Sequence, residues 1–218
     1  MPTNLLCSSP IQGLVLRVIK LNSCGVPVTG VGSAQLVMDG FTQVQASPQY
    51  DTGDRKITRK ANGTLCVNFK LPDQFTNDEL TIDFCVWNPG LIVNTIGARL
   101  LTGSVSPTGV GFAHGTWSNA APAHWSLELW GLPDGPCAAV PLYNYWFWPH
   151  LSDAKKGDYT IGADPTMLQV IANTYDGSPL WTAGAAWLNT AIVSGDHEGM
   201  LLTPTPPPAS TCLIADYP

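Results

Sequence analysis

Four histidines, His114, His124, His150 and His197, are the first side chains to consider for proton transfer or metal binding. None stands in an HxH or HExxH pattern, so none is preset to share a metal with a neighbour on one strand or helix face. The run "GDHEG" at 195–199 brings two carboxylates and an imidazole together, a donor set that suits a divalent cation. It sits between two glycines just ahead of a proline-rich stretch, where a solvated turn explains it better. The six cysteines, Cys7, Cys24, Cys66, Cys85, Cys137 and Cys212, include no Cys-x-x-Cys pair, which argues against a zinc site of the usual spacing. No GxSxG elbow, P-loop or GxGxxG loop after a strand is present. No enzymatic activity, metal or cofactor is therefore expected.

Two further groups have binding chemistry. The aromatic runs "WSLELWG" (125–131) and "YNYWFWPH" (143–150) carry rings that stack on sugars when exposed. The competing use is to fill a sheet core or an interface, where aromatics bury most area. The segment 49–60, "QYDTGDRKITRK", holds Arg55, Lys56, Arg59 and Lys60, four of the ten basic residues of the chain. A wetted hairpin tip accounts for such a cluster more readily than a binding patch.

The elements that must position these groups are mostly strands. In "GTLCVNFKL", Leu65, Val67, Phe69 and Leu71 fall on one face. In "LTIDFCVW", Leu80, Ile82, Phe84 and Val86 fall opposite Thr81, Asp83, Cys85 and Trp87. A period of two marks a half-buried strand. The turn formers of "PDQFTND" between them predict neighbouring antiparallel strands. Further strands are expected near the N-terminus (from Gly13, with a turn around Asn22–Gly25), in one or two pieces of 34–47, and at 125–130, 142–148, 166–175, 181–187 and 190–194.

One helix is expected at about 89–102. Asn88 is a good N-cap, Pro89 suits the first helical position, Trp87 and Ile92 can form a hydrophobic staple, and Gly103 is a natural stop. Gly97 lies within it and offers an earlier stop. The segments 49–60 and 102–124 read as irregular, and "PTPPP" (204–208) as extended polyproline. The pattern as a whole is mainly β, a sandwich or barrel with one flanking helix. It makes a single domain over 1–194 and a Pro-rich tail or arm over 195–218.

Composition narrows the function. Charged residues are 12% of the 218, against an average of about 25%. So few charges fit either a surface rich in neutral polar groups or one largely buried against other copies. Residues 1–99 hold 8 Lys/Arg and 7 Asp/Glu, and residues 100–218 only Lys155 and Lys156 against 9 acids. That imbalance argues against a protein that grips nucleic-acid phosphates. The N-terminal sequence lacks a basic start and long apolar run, and no stretch approaches membrane-span length. A cytoplasmic site of synthesis with reduced thiols is expected.

In order along the chain, "LRVIKLNSCGVPVTG", "DGFTQVQASPQYDTGDRKITRKANGTLCV", "LTIDFCVWNPGLIVNTIGARLLTG", "HWSLELWGLPDGPC", "YWFWPHL" and "IANTYDGSPLW" resemble segments of the major tail (tail tube) proteins of long-tailed actinobacterial phages. The resemblance covers roughly 14–185 and does not extend to 102–124 or the C-terminal tail. It implies a tail-tube-like β-sandwich whose subunits form six-membered rings, stacked into a tube around a DNA channel. The implied partners are other copies of the chain, a tape measure protein, and tail terminator and distal tail proteins, with genomic DNA passing through without specific binding. The implied location is the virion, after assembly in the bacterial host cytoplasm.

On that basis Arg55, Lys56, Arg59 and Lys60 are candidates for contact between rings. Gln43, Gln45 and Asp83 are candidates for the lumen, where a wall without positive charge lets a duplex slide. Cys212, Leu213 and Ile214 are candidates for docking a C-terminal arm on a neighbour. Other tail roles (terminator or connector) and a carbohydrate- or receptor-binding β-module are the alternatives.

Overall fold

A computed structural model describes residues 12–28, 35–86, 88–104, 110–115, 122–134, 142–162, 168–179, 181 and 192–209. The strands are β1 (Gly13–Leu21), β2 (Gln35–Met38), β3 (Phe41–Asp51), β4 (Arg55–Arg59), β5 (Leu65–Lys70) and β6 (Gln74–Phe84). After the helix α1 (Pro89–Ile96) come β7 (Arg99–Thr102), β8 (Val110–Ala113), β9 (His124–Asp134), β10 (Leu142–Lys156), β11 (Leu168–Thr174) and β12 (Gly199–Thr203). The protein is mainly β, with antiparallel pairing throughout.

The main sheet runs β2-β1-β9-β10-β11-β6-β3, with β12 added beside β10. Its two end strands, β2 and β3, are joined by only Asp39 and Gly40. Two residues cannot cross a flat seven-strand path at about 4.8 Å per strand, so the sheet curls until its ends meet. Phe41, the first residue of β3, accordingly packs against Gly13 at the start of β1. The curled face gathers one core from most of these strands and the helix: Leu16, Val18, Leu36, Met38, Leu80, Ile82, Phe84, Trp125, Leu127, Trp148 and Val170, closed by Leu91, Ile92 and Ile96 of α1.

The alternation expected in 80–86 is real through Phe84, since Leu80, Ile82 and Phe84 are all buried. Strands β1 and β9 are buried on their other face as well. There Leu21, Trp130, Tyr145, Phe147, Trp181 and Ile192 form a second cluster. β10 serves both edges. β9 lies along one side, while β12 and then β11 share the other. The change of partner coincides with a register shift between Ser152 and Lys155, where Asp153 takes φ 53. A short polar side chain tolerates that left-handed backbone better than most.

Three expectations are corrected. The helix ends at Ile96 rather than near 102, because Gly97 adopts φ 73 and its N–H closes on the Val93 carbonyl at 3.1 Å. This is the left-handed C-terminal cap that glycine permits. Residues 99–102 become β7, paired with β8, which also gives strand structure to part of the 102–124 connection. At the other end Asn88 caps as expected, its side chain accepting from the Gly90 N–H at 2.8 Å. The Trp87 half of the staple lies outside the described residues.

Second, β5 and β6 are not partners. β5 pairs with β4, and β6 pairs with β3 and β11. The β4–β5 hairpin is nested inside the β3–β6 pair, closing on itself at Lys60–Gly63, where Gly63 has φ 80 and bonds back to the Lys60 carbonyl. Third, 49–60 is not irregular, since it contains the end of β3 and all of β4. Within the region read as a tail from 195, β12 joins the main sheet, while 204–209 carry no strand. Residues 182–187 and 190–191 lie outside the described residues, and 192–194, expected in a strand, carry none.

Candidate functional site: a protruding arm and an amide-lined sheet face

The outer ends of β3 and β6 leave the body together and carry the β4–β5 hairpin beyond it. Every residue of β4 and β5 is exposed. Leu65, Val67 and Phe69 form an apolar row on β5, with Phe69 at 55% exposure. Cross-strand pairing puts Lys56 beside Phe69 and Thr58 beside Val67. Tyr50, Ile57, Leu71 and Phe75 are exposed along the same arm. The arm is nevertheless well tied within itself. Gly53 N–H donates to Asp73 at 2.9 Å, Leu71 N–H to the Asp54 carbonyl at 3.0 Å, and Arg59 to the Gly63 carbonyl at 3.1 Å. The Gly53 bond and the Lys70 ammonium hold the Asp73 carboxyl below its usual range.

Four of the expected contact residues, Arg55, Lys56, Arg59 and Lys60, therefore share one hairpin tip. Lys70 lies at the base of the same hairpin, opposite Arg55 and 2.9 Å from Asp73, and no acid occurs anywhere in 55–70. Arg55 is partly engaged, donating to Asn68 at 3.1 Å.

Gln43, Gln45 and Asp83 also share one surface, the outward face of β3, β6 and β11. Register places Gln43 and Gln169 on either side of Asp83, and Gln45 and Ile171 on either side of Thr81. Gln43 donates to one Asp83 oxygen at 2.7 Å and Gln169 to the other at 2.9 Å. The carboxylate is thus bracketed by neutral amides rather than presented bare. The row continues through Glu79, Asn77 and Asn173, with Asn77 donating to Asn173 at 3.2 Å. Lys155 reaches only to 4.0 Å from Glu79. Sequence inspection missed Gln169, although the alternation of "LQVIANT" against buried Leu168, Val170 and Ala172 puts it on this face.

On the far side of the sheet, Arg17 and Glu128 are cross-strand neighbours on β1 and β9 and form a buried ion pair, with Arg17 Nε donating to Glu128 Oε2 at 2.6 Å. Burial pushes the Glu128 carboxyl up to about 7 against the opposing pull of Arg17. Arg17 also lies over the Trp130 ring at 5.3 Å. Tyr145 adjoins the pair, and burial together with the Glu128 charge pushes its phenol strongly up. Trp125, Trp130, Tyr145, Phe147 and Trp148 are all buried. The aromatic runs are therefore core, and a sugar-stacking role has no exposed ring in them at these positions.

Three of the four histidines border one open polar cleft of about 990 Å3 at the root of the arm, or touch a residue that does. His124 Nδ1 and His150 Nε2 lie 2.9 Å apart, and His150 Nδ1 is 3.2 Å from the Asp176 carbonyl. Burial holds the His150 imidazole below its usual range. His197 Nδ1 lies 2.9 Å from Thr174 Oγ1, and its Nε2 3.3 Å from Asp176. Among the described residues, no group of three or more His, Cys, Asp or Glu is placed to hold a metal. Cys24, Cys66 and Cys85 are free and exposed. Cys212, Leu213 and Ile214 lie outside the described residues. No described helix is long and apolar enough to cross a membrane.

Compared with known proteins, the chain matches no family model and no curated protein.

Proposed function

We propose that this protein is a self-assembling structural subunit: a virion tail tube protein whose copies form six-membered rings that stack into the conduit for DNA. The observation that carries the reading is the arm. A well-bonded hairpin displays Leu65, Val67 and Phe69 in one exposed row, along a hairpin that carries five basic residues. Contiguous exposed apolar surface rimmed by charge is characteristic of a protein–protein contact. The acid-rich second half of the chain supplies the opposite sign on another copy. A contact between different surfaces of identical subunits is head-to-tail, and it closes into rings or runs on as a stack.

The amide-lined face supports the same reading. A translocating duplex carries about one negative charge per 1.7 Å. The wall of Gln43, Gln45, Gln169 and Thr81 around a bracketed Asp83 offers it no cation, while Lys155 on the next strand lies 4.0 Å from Glu79. The order of the segments that resemble those of tail tube proteins points the same way, and makes tape measure, terminator and distal tail proteins the expected neighbours in the virion.

The test is to concentrate purified protein and examine it by negative-stain microscopy and sedimentation. Tubes or stacked rings are expected. The variant with Arg55, Lys56, Arg59 and Lys60 all changed to Glu is expected to keep the fold by circular dichroism and to lose stacking. A wild-type protein that stays monomeric at high concentration would overturn the reading.

A further inference from the structure

We propose that His124 and His150 form a two-imidazole chelate for one divalent transition-metal ion of tetragonal preference, Ni²⁺ or Cu²⁺, at the edge of the polar cleft. The inference is independent of whether the subunit builds a tube.

A bulge in one strand brings the two rings together. On the paired strands β9 and β10, Trp148 lies opposite Leu127 and Leu151 opposite Trp125. β10 therefore runs through three residues where β9 uses two, and Pro149 and His150 fall in that bulge. A bulge re-aims a side chain, and it accommodates a proline that cannot donate to the ladder. His124 opens β9, and its ring meets the His150 ring with centroids 5.1 Å apart and planes tilted by 45°. The facing atoms, His124 Nδ1 and His150 Nε2, are 2.9 Å apart.

His150 is also held from its other side. Its carbonyl accepts from the Tyr175 N–H at 2.9 Å, and its Nδ1 lies 3.2 Å from the Asp176 carbonyl. Gly25, at φ 72, backs the ring so closely that a Cβ there would lie 3.3 Å from Nδ1. A carbonyl can only accept, so Nδ1 carries the proton of the neutral ring and Nε2 turns its lone pair toward His124. An imidazole whose second nitrogen donates to a backbone carbonyl is the usual arrangement of a metal-bound histidine.

The separation of the two nitrogens selects the ion. With metal–nitrogen bonds of about 2.0–2.1 Å, a gap of 2.9 Å subtends about 90° at the metal. That is the angle between neighbouring ligands in a square-planar or tetragonal site, which suits Cu²⁺ and Ni²⁺, rather than the wider tetrahedral angle of zinc. A proton on His124 Nδ1 satisfies the pair without metal. When that proton moves to His124 Nε2, a small rotation of the rings turns both lone pairs to one point beside the N–N line. Binding to the neutral pair therefore releases no net proton. Water takes the remaining positions, because no third His, Cys, Asp or Glu among the described residues is placed to complete the group. His150 lines the cleft and both rings are half-buried, so the ion has a way in. Glu79 and Asp176 also line it, with no Lys or Arg, and Lys155 comes only to 4.0 Å from Glu79. A cleft lined by one sign of charge concentrates counter-ions.

Isothermal titration of the full chain with NiCl2 tests this, in a non-coordinating buffer above the usual histidine range of about 6.5. The protein must carry no polyhistidine tag. One ion per chain is expected. His124→Gln and His150→Gln, each checked for fold by circular dichroism, should weaken binding by at least about tenfold. His197→Gln and Cys24→Ser alter the same cleft and leave the pair intact, so both should bind as the wild type does. In the wild type alone, trace Ni²⁺ should broaden the amide NMR signals of Trp125 and Leu151 before those of the arm. Four results would each overturn the site: no binding by the wild type, undiminished binding in both pair variants (an adventitious ion only), an equal loss in His197→Gln or Cys24→Ser, or broadening centred elsewhere.

Discussion

Strands β5 and β9 carry the same signal in different places. β5 sets Leu65, Val67 and Phe69 on one face, and β9 sets Trp125, Leu127 and Leu129 on one face. In the body, β9 lies between β1 and β10, and its second face is covered too, so even Ser126 and Glu128 are buried. On the arm, β5 has β4 for a neighbour, and all of its residues stay exposed. An apolar row states that something must cover it. It does not state whether the cover belongs to the same copy. Where the covering group is in the chain, the row contributes to folding. Where it is not, the row is available for association.

The largest expected effect follows directly. Trp125→Ala should destabilise the subunit by about 3–5 kcal/mol, because it opens a cavity in the core. Val67→Ala on the arm should change it by less than about 0.5 kcal/mol. Denaturant midpoints measured on dilute protein would show this, and similar losses at the two sites would erase the distinction between body and arm.

A second test concerns charge in the body. The Glu128 carboxyl is raised from its ordinary 4.5 to about 7, chiefly by burial. Its folded value exceeds its unfolded one, so stability is greatest below the unfolded value and falls as pH rises through about 7. The span corresponds to about 3 kcal/mol. Unfolding free energy should therefore fall between pH 4.5 and about 7. Glu128→Gln should remove most of that slope, while reversing Arg55, Lys56, Arg59 and Lys60 should not. A full slope in Glu128→Gln would place its source elsewhere.

The comparison also marks what could be read in advance. Local signals were legible: Asn88-Pro89 starts the helix, and the alternation of Leu80, Ile82 and Phe84 faces the core. Gln43 and Gln45 were readable as sharing the polar face of one strand, and Asp83 as lying on the polar face of another, since period two fixes which residues of a strand share a face. That the two faces are one surface depends on pairing. Pairing was not legible. Nothing local distinguishes a β5 that pairs with β6 from one folded back on β4, because the turn at Asn62-Gly63 and the return past Leu71–Asp73 serve either arrangement. The curl that joins β2 to β3 and the meeting of Arg17 with Glu128 depend on contacts distant in sequence, which periodicity does not carry. The helix end was misplaced because Gly97 and Gly103 both offer a stop in the sequence, while the conformation of Gly97 decides where the helix ends.

The smallest expected effect on folding is on the arm, and it is also the most informative about function. Changing Leu65, Val67 and Phe69 together to Ser removes an exposed apolar row and leaves the buried core of the body intact. The free subunit should unfold within about 0.5 kcal/mol of the wild type. Its assembly, followed by light scattering, should fail at low and at high salt alike. The charge-reversed tip should behave differently. It keeps the apolar row, and salt screens the repulsion it introduces, with a Debye length of about 3 Å at 1 M. Assembly of that variant should recover in part as salt is raised. The two variants separate the parts of the contact: burial holds it, and charge selects the surface it meets. Assembly undisturbed by the Ser substitutions would mean that the exposed row is not the contact, and that the arm of this protein has another use.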